Sequence, residues 1–121
     1  FIQYTHARIQ SVLRKAKEQG INYSGALASD ISLSEKEESL IHLLADFTGV
    51  VESAGKEYNP ASIANYVYEL SKEYNQFYHD FSILKEDNET VKNMRLILSE
   101  NVAKVIKSGM NLLGIDVPDK M

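Results

Sequence analysis

Phe1, Tyr4, Arg8 and Arg14 fall within one amphipathic stretch at the start of the chain. On a helix, positions 4 and 8 are one turn apart and share a face, whereas position 14 lies on another part of the surface. Rings can stack and guanidinium groups can bind phosphate, the combination that holds splayed, unpaired RNA bases. Seven tyrosines and four phenylalanines exceed what a single core stripe needs. Tyr66 and Tyr68 flank the main apolar face of the central helix, and Tyr78 lies at its margin. A plainer reading leaves these rings half-buried at the core boundary with their hydroxyls in water. Both readings stay open on the residues alone.

Catalytic chemistry has little support. There is no glycine-rich phosphate loop and no nucleophile elbow. Cysteine is absent, which excludes a disulfide framework, thiol catalysis and cysteine–metal sites. The three histidines, His6, His42 and His79, are far apart. His6 sits on an apolar helix face, where a hydrogen-bonded core histidine is the expectation. His79-Asp80 is at most half a metal site, because no further ligand has suitable spacing. Glu35, Glu37 and Glu38 read as first-turn acids that complement a helix dipole. The residues therefore give no catalytic and no metal-ligand assignment.

With 121 residues, the chain is expected to form one domain over residues 1–121 with a single modest core. Hydrophobic residues make up 44% and charged residues 25%, as in ordinary globular proteins. No apolar run approaches the roughly 20 residues that span a membrane. The net charge of -4 is unevenly distributed: residues 1–18 carry +3, residues 19–90 carry -9 and residues 91–121 carry +2. Solvated helix faces would produce such a pattern. So would a basic side built from the two terminal segments, suited to a polyanion.

These side chains must be positioned by helices, since the periodicity is helical throughout. Ile2, His6, Ile9, Leu13 and Ala16 mark one face of a first helix, which Gly20 ends. Residues 20–33 read as a loop. Ser34 and Glu37 form a capping box before Leu40, Leu44 and Phe47. Thr48-Gly49 reads as an interruption, and 50–58 as a short helix or a continuation. Asn59-Pro60 starts the clearest helix, with Ile63, Val67, Leu70, Tyr74, Phe77 and Phe81 on one face. Residues 83–86 connect it to a last helix capped by Asp87 or Asn88. That helix carries Val91, Met94, Leu98, Val102, Val105 and Leu112 and ends at Gly114 and Pro118. No segment alternates with period two, so the expected fold is an all-α bundle of four to six helices.

Four stretches, in order, carry a family resemblance. They are Gln3-Tyr4-Thr5-His6-Ala7-Arg8-Ile9, Ala64-Asn65-Tyr66-Val67-Tyr68-Glu69-Leu70, Asn75-Gln76-Phe77-Tyr78, and Arg95-Leu96 with Gly109-Met110-Asn111-Leu112-Leu113-Gly114-Ile115 and the final Met121. Together they resemble the C-terminal anticodon-binding (DALR-type) domain of arginyl-tRNA synthetases, over essentially the whole chain. Each motif is weak alone; the series is specific.

The resemblance implies a class I synthetase that activates arginine with ATP, with Mg, and transfers it to tRNA. That chemistry belongs to a Rossmann-type catalytic domain whose signature is absent from these residues, so the chain alone is expected to catalyse nothing. Its implied task is to grip the anticodon loop of arginine tRNA in the cytoplasm. The implied partners are that tRNA and the catalytic domain of the same chain, not DNA or a membrane. Phe1, where the family usually has Tyr, would stack. Arg14 would meet loop phosphates or a base edge, Tyr78 would stack in the anticodon pocket, and Met121 would lie against an anticodon base. Tyr4, Arg8 and Arg95 are lesser contacts, with packing or the domain junction as the alternative for His6 and Arg8. Phe1 in place of a starting methionine suggests an internal start, and Met121 a true carboxyl end. The competing function is a helical protein–protein adaptor that uses its tyrosines and methionines at a partner surface.

Overall fold

The structure is a computed structural model that describes residues 1–21, 34–57, 59–81, 83–86 and 89–114. Five helices follow in order: α1 (Ile2–Glu18), α2 (Glu35–Ala45), α3 (Phe47–Glu57), α4 (Pro60–Asp80) and α5 (Glu89–Leu112), with no strand among the described residues. This is the all-α bundle expected from the periodicity. The long helices α4 and α5 pack along each other, α1 lies against both, and α2 and α3 cover α4 from another side.

Helix α1 ends as its glycine implied. Gly20 adopts a left-handed φ of 74°. Its N–H bonds the Lys17 carbonyl at 3.0 Å, and the Ile21 N–H reaches back to the Ala16 carbonyl at 2.9 Å. This double closure satisfies two otherwise orphaned carbonyls, and Ile21 packs against the core. At the start of α2, Ser34 Oγ accepts from the Glu37 N–H at 3.2 Å while Glu37 Oε1 accepts from the Ser34 N–H at 3.0 Å. The capping box is therefore present.

Three boundary expectations differ from the structure. Thr48 and Gly49 lie inside α3, and the break falls earlier, at Asp46. There the amide bonds the Leu43 carbonyl three residues back, at 3.2 Å, which tightens the last turn of α2. A mid-helix glycine costs only about 1 kcal/mol, so Gly49 does not stop α3. Asn59 makes no side-chain cap, although Pro60 does occupy the first turn of α4. Leu112 is exposed rather than buried. Asp87, Asn88, Pro118 and nearly all of 20–33 lie outside the described residues.

The apolar stripes meet at Ile9, Leu40, Leu70, Tyr74, Phe77, Leu96, Val102 and Ile106, all fully buried. Each such side chain contributes roughly 1.5–3 kcal/mol relative to exposure. Asn93 Oδ1 is buried without a hydrogen-bond partner among the described residues, but the polar groups beside the central aromatic rings are paired. The Tyr74 hydroxyl donates to Ser99 Oγ at 3.0 Å, and Ser99 donates to the Arg95 carbonyl at 2.8 Å. Tyr66, expected beside the apolar face, is buried, and its hydroxyl donates to the Leu43 carbonyl. Burial, then the nearby Asp46 carboxylate, pushes the Tyr66 phenol up to about 12. Burial pushes Tyr74 up further.

Candidate nucleic-acid interface

Arg8 lies in the seam between α1 and α4. Its Nη2 donates to the Tyr4 hydroxyl at 2.8 Å and its Nη1 to Asn75 Oδ1 at 2.7 Å. The guanidinium carbon sits 4.8 Å from the Tyr4 ring centre and 4.6 Å from that of Tyr78, within cation–π range of both. Asn75 is held in turn: its Nδ2 donates to Thr5 Oγ1 at 2.8 Å and to the Ser71 carbonyl at 2.9 Å. The Thr5 hydroxyl donates to the Phe1 carbonyl at 3.0 Å.

The elements explain this placement. Tyr4 and Arg8 are one turn apart on α1, and Asn75 and Tyr78 are three apart on α4, so each pair shares a face. Core residues occupy the far face of α1, His6 and Ile9, and the adjoining face of α4, Tyr74 and Phe77, with the Tyr74 and Tyr78 rings 6.4 Å apart. Burial of those faces turns the polar pairs toward each other at the surface. His6 is 1% exposed, the core histidine the apolar face implied.

A cleft of about 470 Å³ opens on this seam, lined by Tyr4, Arg8, Ser11, Arg14, Lys15 and Tyr78 among others. Four sequence candidates therefore converge: Tyr4, Arg8, Arg14 and Tyr78. Arg14 also borders a groove between α1 and α5, with Lys17, Lys104 and Glu100. There Lys104 pairs with Glu100 at 3.0 Å. The first and last helices do adjoin, but the aromatic rings of the cleft come from α1 (Tyr4) and α4 (Tyr78).

Phe1 does not line the cleft. Its ring packs on Tyr68 at 5.6 Å, tilted by 57°, with both rings largely exposed. Met121 lies outside the described residues. Arg95 needs correcting: it is buried, with Nε 3.4 Å from Glu37 Oε2 and Nη1 3.0 Å from Glu86 Oε2. Its guanidinium carbon lies 4.5 Å from the Phe81 ring centre. Two carboxylates and a ring occupy it, so it is an interior tie rather than a surface contact. Sequence reasoning missed Asn75 and Lys15 as site residues. The signal for Asn75 was its position three residues before Tyr78, which puts both on one face of α4.

With this geometry in place, similarity to known proteins becomes informative. The model of the DALR anticodon binding domain matches residues 2–121. The chain belongs to the DALR anticodon binding domain family. The arginine–tRNA ligase of Parabacteroides distasonis is 63% identical over all 121 residues, which cover 20% of its length. That of Bacteroides fragilis is 64% identical over the same span and the same share. The chain thus spans about one fifth of the length of the curated relatives it matches. In shape, the DALR domain is similar to part of the Thermus thermophilus arginyl-tRNA synthetase, with a TM-score of 0.86 and 29% identity over 99% of this chain and 20% of that one. The all-helical fold agrees with this family assignment. A match that covers nearly the whole chain gives no support to the adaptor alternative.

Proposed function

We propose that this domain grips the anticodon loop of arginine tRNA as part of an arginine–tRNA ligase. The observation that carries the reading is the Arg8 guanidinium, held between the Tyr4 and Tyr78 rings in a cleft that also presents Arg14 and Lys15. Tyr4 is exposed and Tyr78 half-buried, and both rings line the cleft, where an unpaired base could stack. The cations beside them suit the phosphates on either side of that base. The contacts in this reading are Tyr4, Arg8, Arg14 and Tyr78, with Phe1 on the neighbouring Tyr68 patch. Met121 is retained on the resemblance of the chain's ending alone.

Attachment of arginine, with ATP and Mg, is proposed for the remainder of such an enzyme, packed against this domain in one chain. Among the described residues no three His, Asp or Glu side chains gather in one place. No helix among them is long and apolar enough to cross a membrane. The cytoplasm, where tRNA is charged, is the proposed compartment.

The test is direct binding of an arginine anticodon stem-loop, followed by fluorescence anisotropy at fixed salt. Tyr78→Ala is expected to weaken binding by about 1–3 kcal/mol, the loss typical of one stacked base. Equal affinity of the wild-type chain for the cognate loop and one with a scrambled anticodon would sink the proposal.

A further inference from the structure

A second cleft, of about 340 Å³, opens beside the first and shares Val12, Lys15 and Tyr78 with it. Its remaining lining comes from the end of α4 and the turn at 83–86: Phe81 and Leu84 are apolar, and His79 and Lys85 are exposed and polar. Glu86, next to Lys85, is turned to Arg95 at 3.0 Å, which it shares with Glu37, so among the described residues the cationic charge at this cleft comes from Lys15 and Lys85 alone. Asp80, between His79 and Phe81 in sequence, is exposed and is not part of the lining. Arg95 also lies against the Phe81 ring, at 4.5 Å. From inside the core, one buried side chain thus fixes both the end of α4 and the turn that follows it.

The second cleft therefore combines an apolar floor with a cationic rim. Unpaired nucleotides are recognised by that combination, with the base on the floor and the phosphate at the rim. Its volume falls at the small end of ligand pockets, about 300–1,000 Å³. Val12, Lys15 and Tyr78 line both clefts, so the two adjoin, which suits successive nucleotides of one strand. We propose that this cleft is a second nucleotide subsite. It takes the unpaired nucleotide next to the one held at Tyr4, Arg8 and Tyr78, with its base over Phe81 and Leu84 and its phosphate between Lys15 and Lys85. The inference rests on the anticodon-loop reading above and adds a second, adjoining point of contact to it.

The experiment titrates the anticodon stem-loop, intact and with single abasic positions through the loop, against the 121-residue chain and its Tyr78→Ala, Leu84→Ala and Lys85→Ala variants. Two adjacent abasic positions are expected to weaken wild-type binding, each about fivefold or more. Leu84→Ala should make only the second of them silent, whereas Tyr78→Ala, on the lining shared by both clefts, should silence the first and weaken the second. Lys85→Ala, at an exposed position that does not threaten folding, should lower the slope of log affinity against log salt by about 0.7. Leu84→Met should restore the wild-type profile, which separates base contact from a folding defect. If Tyr78→Ala weakens binding while Leu84→Ala and Lys85→Ala keep the wild-type affinity, slope and abasic profile, the second subsite is overturned and the first reading stands. If the wild-type chain does not distinguish cognate from scrambled loops, both fall together.

Discussion

The Arg8 guanidinium donates to an amide and a phenol and lies against two rings, all neutral groups. Its charge is held in place without being cancelled. The Arg95 guanidinium meets two carboxylates in the interior. The same side chain thus serves recognition at one position and cohesion at the other, and the difference lies in the partners. Glu37 shows how tightly the interior position is built: one carboxylate oxygen closes the α2 capping box and the other faces Arg95. Two tyrosines add a pH signature at this scale. The phenols of Tyr66 and Tyr74 are both raised by burial, Tyr66 to about 12, against about 10 in an unfolded chain. A raised phenol favours the folded state while it stays protonated. That contribution is complete below about pH 10 and is lost as pH rises from there through the folded values. Urea unfolding from pH 8 to 12 should therefore show flat stability, then a decline beginning near pH 10. Tyr66→Phe should make the decline shallower. An equally steep decline in that variant would assign the effect elsewhere.

At the level of elements, α4 and α5 come close at Gly109. A Cβ added there would lie 2.6 Å from Val67 Cγ2, and Val67 is fully buried and β-branched, so it has little freedom to yield. Gly109→Ala gains about 1 kcal/mol of helix propensity but overpacks the contact by about 1–3 kcal/mol. The expected outcome is a net loss of about 1 kcal/mol in denaturant unfolding. In the double variant with Val67→Ala the two effects should fall short of additive, because the smaller neighbour accepts the methyl. The stripes that build this interface were legible: Ile63, Val67, Leu70, Tyr74 and Phe77 recur at helical period, and a buried helix face needs nothing more. What was not legible depends on distant partners. Arg95 looks like a surface cation until Glu37, 58 positions earlier, is folded against it. Asn75 becomes part of a site only when Thr5, 70 positions away, accepts its amide. Thr48-Gly49 resembled a break because those residues favour breaks, yet the turn was decided two residues earlier by the bond at Asp46.

Across the whole molecule, α1 does two jobs. One face closes the core with His6, Ile9 and Leu13, while the opposite side carries Arg8, Arg14 and Lys15 into the α1–α4 cleft. A chain with net charge -4 can hold a polyanion only where its cations are gathered, and the +3 of residues 1–18 is gathered on this helix. Arg14 borders both the α1–α4 cleft and the α1–α5 groove. Arg14→Ala should therefore flatten the dependence of log affinity on log salt by about 0.7–0.9, the share of one phosphate contact, with similar loss for cognate and scrambled loops. An unchanged slope would place the phosphates away from α1. Val12, Lys15 and Tyr78 belong to the lining of both clefts, and a shared lining links its neighbours. A base that presses on one side of Tyr78 sets the position of the surface met on the other side. Two loop letters read this way behave as a word, not as separate characters. The penalty for changing both letters together should depart from the sum of the single changes, while pairs farther apart in the loop should simply add.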